Sequence, residues 1–197
     1  MPKTTSIVMG GVGGQGIVLA SKILAQVIQD HQLELKVSEI HGMAQRGGSV
    51  LTFVRYGTAV HAPLIEQRQA DYLFALEKLE AWRLLPYLRT GGTLVCSTQE
   101  IKPMPVIIGQ QQYPPQIIPA LEALAADGTL GNFLAINALE VACACGQPKA
   151  ANVALLGVLA RTLEFPVDSF LHALAAVVPE RFLAANREAF LAGFHAV

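Results

Sequence analysis

The chain has 197 residues, 52% of them hydrophobic and only 15% charged, with a formal net charge of −1. That length suits a single domain over 1–197 with a sizeable core. The near-neutral balance gives no electrostatic footing for nucleic acid, and the apolar surplus points to a buried subunit interface. The longest apolar stretches, such as "VALLGVLA" at 153–160, fall short of the roughly 20 residues of a membrane span. The N-terminus lacks the n-region and cleavage site of a signal peptide, so a reducing cytoplasm is expected. Three cysteines (Cys96, Cys143 and Cys145) are too few for an iron–sulfur cluster, which wants about four ligands.

In chain order, "TSIVMG" (4–10) reads as a short buried strand bounded by glycine. Ile17, Ala20, Leu24 and Val27 then recur at helical spacing, which predicts a helix over 14–29. Strands follow at 35–40 and 49–57. Their link is too short for a crossover helix, so they pair antiparallel or lie far apart in the sheet. Another strand is predicted at 70–76 and a helix over 77–88 that "TGG" ends, then strands at 93–97 and 105–109. "PPQIIPALEALAADG" reads as a helix with proline early and glycine past its end, and 132–137 as the last strand. Beyond it come four helices: Asn137 to Gly146, Asn152 to Leu163, Asp168 to Val177 and Pro179 to Phe194, the last with an aromatic stripe of Phe182, Phe190 and Phe194. The predicted fold is α/β, a Rossmann-like single domain with a mixed sheet, a glycine-rich loop after the first strand and a helical C-terminal part.

Residues 10–16, "GGVGGQG", place five glycines between a strand and a helix. Gly11, Gly13 and Gly16 fit G-x-G-x-x-G in the context that gives the pattern meaning. In that register Gly11 makes the tight turn, Gly13 admits a ligand to the backbone, and Gly16 lets helix and strand pack closely. The helix start would then offer an anion site, and Glu39, near the end of the second strand, is the candidate ribose ligand. The alternative is that the glycines serve only the turn and the packing.

A second glycine-containing segment, "SEIHGMAQRGGSV", follows the second strand. Arg46 precedes Gly47 and Gly48, putting a guanidinium suited to carboxylate or phosphate beside an approachable backbone. His41 and Gln45 add hydrogen-bonding capacity. On its own this is equally a surface loop with a solvated arginine, but two such loops beyond neighbouring strands should converge in space.

Together, "GVGGQGIVLASKILA" and "SEIHGMAQRGGSV" resemble the gamma-type subunits of 2-oxoacid:ferredoxin oxidoreductases. "GMAQRGG" is similar to the version found in the beta subunit of indolepyruvate:ferredoxin oxidoreductases; pyruvate and 2-oxoglutarate relatives more often carry a "YGPEARGG"-like one. "ADYLFALEKLEA", "NVALLGVLA" and "NREAFLAGF" extend the resemblance over nearly the whole chain. It implies a subunit of an enzyme that oxidatively decarboxylates 2-oxoacids with coenzyme A and reduces ferredoxin. Thiamine diphosphate, Mg and the iron–sulfur clusters would sit on the partner subunit, none being bound by this chain alone. Ferredoxin is reached through the holoenzyme. Gly11, Gly13, Gly14, Gln15, Gly16, Arg46, Gly47 and Gly48 match the family's motifs, and with His41 and Gln45 they form the candidate contact set for coenzyme A or the partner. A homodimer of the isolated chain is a further expectation; no catalytic residue is assigned. Against this stand a free-standing Rossmann-like nucleotide-binding protein and a non-catalytic interaction module.

The remaining polar residues read more plainly. Cys143 and Cys145 fit an apolar helix as core rather than a redox pair, Glu77 and Glu80 at a strand end are either active-site carboxylates or a solvated first helical turn, and Trp82 is a packing or interface residue. His61, His172 and His195 have no spacing for a shared metal.

Overall fold

The computed structural model describes residues 4–41 and 47–197, with His41 described by its backbone alone. Of the candidate site, Gln45, Arg46 and the His41 side chain therefore lie outside the described residues. The elements, in chain order, are β1 (Thr4–Val12), α1 (Ile17–Asp30), β2 (Glu34–His41), β3 (Ser49–Gly57), β4 (Ala70–Ala75), α2 (Lys78–Leu84), β5 (Leu88–Ser97), α3 (Met104–Ile107), α4 (Ile117–Ala126), β6 (Asn132–Ile136), α5 (Ala138–Ala144), α6 (Ala151–Ala160), α7 (Val167–Val177) and α8 (Glu180–Phe194).

The six strands form one mixed sheet in the order β2-β3-β1-β4-β5-β6. β1, β4, β5 and β6 run parallel, and β3 runs antiparallel to both β1 and β2. The short link from β2 to β3 explains this: it allows a reversal but no crossover. Consequently β3, not β2, sits beside β1, unlike the usual doubly wound order.

Alternation along the central strands feeds two cores. Ile7, Met9, Phe74 and Val95 face α1, α6, α7 and α8, whereas Val8, Leu73, Leu94 and Cys96 face α2 and α4. Helix α6 is buried from Asn152 to Ala160, which explains its lack of a polar face. It crosses α8 so closely that a methyl on Gly157 would overlap the Phe190 carbonyl and one on Gly193 the Ala154 carbonyl.

Several expectations need correction. Residues 105–109 are not a strand: Pro103 and Pro105 lack ladder donors and fit the first turn of α3 instead. The helix after β4 stops at Leu84, where Pro86 forces a short 3-10 turn, Leu85–Tyr87. The "TGG" expected to end that helix lies inside β5, where the register against β4 shifts. Phe190 stacks between Phe170 and Phe194, but Phe182 is 38% exposed beneath the Arg181 guanidinium, so the aromatic stripe has two members rather than three. Cys143 is exposed, because the buried line of α5 runs through Ala138 and Ala142; Cys145 is partly buried and Cys96 fully. Trp82 is 42% exposed on α2.

Candidate functional site

The strand β1 runs two residues further than its apolar stretch predicts, through Val12, so Gly11 is a strand residue opposite Val50 and not the turn. The turn is made by Gly13 to Gly16. Gly14 and Gly16 take φ of 101° and 87°, the left-handed region that an L side chain rarely adopts. Gly16 has a second reason to be glycine. A Cβ there would sit 2.6 Å from Nδ2 of Asn152, which donates to the Gly16 carbonyl at 2.9 Å. Gly16 thus packs against α6 and not, as expected, against the strand.

Gln15 fills the loop from inside. Its Oε1 accepts the Val12 N–H at 2.7 Å, and its Nε2 donates to the Leu76 carbonyl at 2.9 Å and to Gln99 Oε1 at 3.0 Å. One side chain therefore ties the ends of β1, β4 and β5 together. Sequence reasoning placed Gln15 among ligand contacts; the structure occupies both polar ends of its amide within the chain.

The two glycine motifs do converge. Beyond the last ladder pair, Val12 with Ser49, the Gly13 N–H donates to the Gly48 carbonyl at 2.7 Å and the Gly47 N–H to the Gly13 carbonyl at 3.4 Å. The β1–β3 ladder thus continues into both loops and holds them side by side at the carboxyl end of the sheet, where open α/β folds place ligands.

Three cavities surround this seam. One, of about 470 Å³, lies between the loop and α6 and is lined by Gly14, Gln15, Gly16, Gln99, Lys149 and Asn152. Here the N-terminus of α1, a helix of 14 residues, meets a lysine. Asn152 is buried, and its Oδ1 has no hydrogen-bond partner among the described residues. A helix N-terminus and a cation suit a phosphate-bearing ligand, and the orphaned oxygen suits a donor. The second cavity, about 420 Å³, places Glu39 with Gly13, Gly14 and Gly16. Glu39 nevertheless stands on β2, two strands from β1, roughly 10 Å away by strand spacing. Glu39 thus shares a cavity with the glycine loop, but across β3 and not from the strand beside β1 that the usual doubly wound order supplies.

The third cavity, about 510 Å³, lies on the opposite face of the seam and joins Gly47, Gly48 and Ser49 to Glu77, Glu80 and Arg83. Both glutamates contradict their reading as a solvated turn: Glu77 is 1% exposed and Glu80 2%. Glu77 caps α2 through the Glu80 N–H at 2.9 Å and accepts from the Ile101 N–H at 3.2 Å and from the Tyr113 hydroxyl. Burial, and then the bond to Glu77, push the Tyr113 hydroxyl well above its ordinary value, so it stays a donor. Glu80 accepts from Ser49 Oγ at 2.5 Å and from Arg83 Nη1 at 2.6 Å. Sequence reasoning named both acids but missed their burial, because nothing in "ALEKLEAW" marks it; Ser49 and Tyr113, which donate to them, lie 31 and 36 positions away. Among the described residues no group of three metal-capable side chains converges, and no helix is long and apolar enough to cross a membrane.

The family model described as pyruvate ferredoxin/flavodoxin oxidoreductase matches residues 6–196. The chain belongs to this family. It is 32% identical over 196 residues to the indolepyruvate oxidoreductase subunit IorB of Thermococcus kodakarensis, covering 98% of this chain and 96% of that one. The subunit of the same name from Methanothermobacter thermautotrophicus is 36% identical over 195 residues, covering 97% and 96%. Among solved structures, the gamma subunit of a keto/oxoacid ferredoxin oxidoreductase from Geobacter sulfurreducens superposes with a TM-score of 0.68 at 24% identity, covering 96% of each chain, and shares the fold.

Proposed function

We propose that this member of the oxidoreductase family is the gamma-type subunit of a 2-oxoacid:ferredoxin oxidoreductase of the indolepyruvate kind. In this reading a companion subunit carries thiamine diphosphate, Mg and the iron–sulfur clusters and passes electrons to ferredoxin. The present chain supplies the face that presents the two glycine motifs, and it is inactive alone. It works in a reducing cytoplasm, where its three cysteines stay thiols.

The observation that carries the reading is the seam itself. Two backbone hydrogen bonds join the loops that resemble the family's motifs, at 2.7 and 3.4 Å. Side-chain-free backbone on both loops permits close approach by a large ligand or a partner surface. Coenzyme A fits the chemistry: the start of α1 and Lys149 provide positive potential for its phosphates. When bound, coenzyme A supplies the thiol that accepts the acyl group; this chain's residues bind and orient it and exclude water.

The test is reconstitution. The chain with the companion subunit should turn over indolepyruvate with a low-potential acceptor and show saturable dependence on coenzyme A, while the chain alone with added thiamine diphosphate should not. Gly13→Val should leave the fold intact and impair the assembled enzyme. Turnover by the isolated chain, or a Gly13→Val complex with wild-type kinetics, overturns the reading.

A further inference from the structure

Glu80 occupies a position that packing alone does not explain. Helix α2 is pressed so hard on β1 that a methyl at Gly10 would overlap the Leu84 side chain. From this fixed body Glu80 reaches to Ser49, the first residue of β3 and the exit of the second glycine motif. Ser49 is also the ladder partner of Val12, the last residue before Gly13. The same carboxylate is held from its other side by Arg83, itself exposed.

A buried carboxylate is a costly way to join a helix to a strand. Well-packed apolar residues generally match or exceed the stability of a buried ion pair. What an apolar contact lacks is direction: it would seal α2 against β3 without fixing where Ser49 stands. A charge-assisted bond at 2.5 Å fixes that point, and the Gly13–Gly48 bond begins one residue away.

We infer that Glu80 is a positioning residue, which through Ser49 sets the second glycine motif against Gly13 and thereby tunes the affinity of the shared site for coenzyme A. This rests on the proposed function, but its geometric half is open to measurement without any ligand. In the full chain, hydrogen exchange at the Gly13 amide reports the motif-to-motif bond directly. Glu80→Gln and Ser49→Ala should each speed that exchange by about tenfold while core amides of α6 keep their protection. Ser49→Thr, which restores the hydroxyl, should return it to wild type. In the reconstituted enzyme the same variants should raise KM for coenzyme A by about tenfold with kcat within about twofold. The double variant should be no worse than Glu80→Gln alone, because Ser49→Ala removes only an interaction that Glu80→Gln already disturbs.

Unchanged Gly13 exchange in folded Ser49→Ala overturns the inference, as do additive effects or a failure of threonine to rescue. Faster exchange with an unaltered KM overturns the link to coenzyme A. Should Glu80→Gln fail to fold, Ser49→Ala, at an exposed residue, decides alone. A wild-type complex without coenzyme A dependence overturns the proposed function, and the exchange data then show separately whether Glu80 holds the seam.

Discussion

Replacing Gln15 separates a structural pin from a ligand contact. The wild-type amide makes three hydrogen bonds, to Val12, Leu76 and Gln99, at 2.7, 2.9 and 3.0 Å. Each such bond contributes about 1 kcal/mol net, so Gln15→Ala should cost roughly 3 kcal/mol if nothing replaces them. The adjoining cavity of about 470 Å³ admits water to some of the freed groups, which brings the expectation to about 2 kcal/mol. Gln15→Glu is the sharper perturbation. A carboxylate can still accept from Val12, but its second oxygen faces the Leu76 carbonyl and Gln99 Oε1, both acceptors. It should be less stable than the alanine variant at neutral pH and recover as the pH falls through the carboxyl range, where a protonated oxygen donates again. Urea unfolding of the full chain at pH 5 and pH 7.5, roughly either side of such a buried acid, measures both effects. An alanine variant within about 0.5 kcal/mol of wild type, or a glutamate variant more stable than alanine, would refute the pin.

Gly193→Ala should destabilise by about 2 kcal/mol in thermal or chemical melts, since overlap with the backbone of Ala154 outweighs the gain in helix propensity. Tyr56 is pushed up to about 12, chiefly by burial, from an ordinary 10.0. Its neutral form is thus favoured in the fold, and stability should be intact below pH 10 and fall by about 2 kcal/mol as pH rises to 12, a fall that Tyr56→Phe lessens. In the reconstituted enzyme Arg46→Ala should weaken either coenzyme A binding or assembly by about 2–5 kcal/mol, read as a raised KM or a raised subunit Kd. Arg46→Lys should rescue neither fully; wild-type values in both variants would leave Arg46 an ordinary surface arginine.

What was legible in the sequence follows from how local each signal is. The capping of α5 by Asn137 and the proline-led start of α8 depend on residues a few positions apart and appear where spacing places them, while the helix predicted over 14–29 begins only at Ile17, its first turn given up to the glycine turn. The mixed sheet was legible too, because a short link forbids a crossover. Residues 105–109 misled because an apolar run carries no period; the prolines beside it decided for a helical turn. Glu77 and Glu80 misled for a different reason: burial of an acid is decided by distant donors, here Ser49 and Tyr113, which local pattern does not reveal. Gly11 was misplaced because the ladder with β3 carries β1 past its apolar stretch, moving the turn two residues along.

That same ladder accounts for the departure of this fold from a dinucleotide site. In a doubly wound sheet the strand beside the glycine loop brings an acid to the ribose; here β3 takes that place, and Glu39 is carried one strand further out. The insertion fills the space beside the loop with a second backbone, that of Gly47 and Gly48. The loop thereby gains a glycine pair as its neighbour, held at fixed spacing. Such a surface suits a ligand that reaches past the loop backbone to Lys149 and Asn152 in the adjoining cavity. It gains most where a long anionic ligand or an opposing subunit lies across both loops at once, so that the two seam bonds set the spacing each must match. Binding geometry, rather than proton transfer, is the part of the reaction that the proposed function asks of this seam.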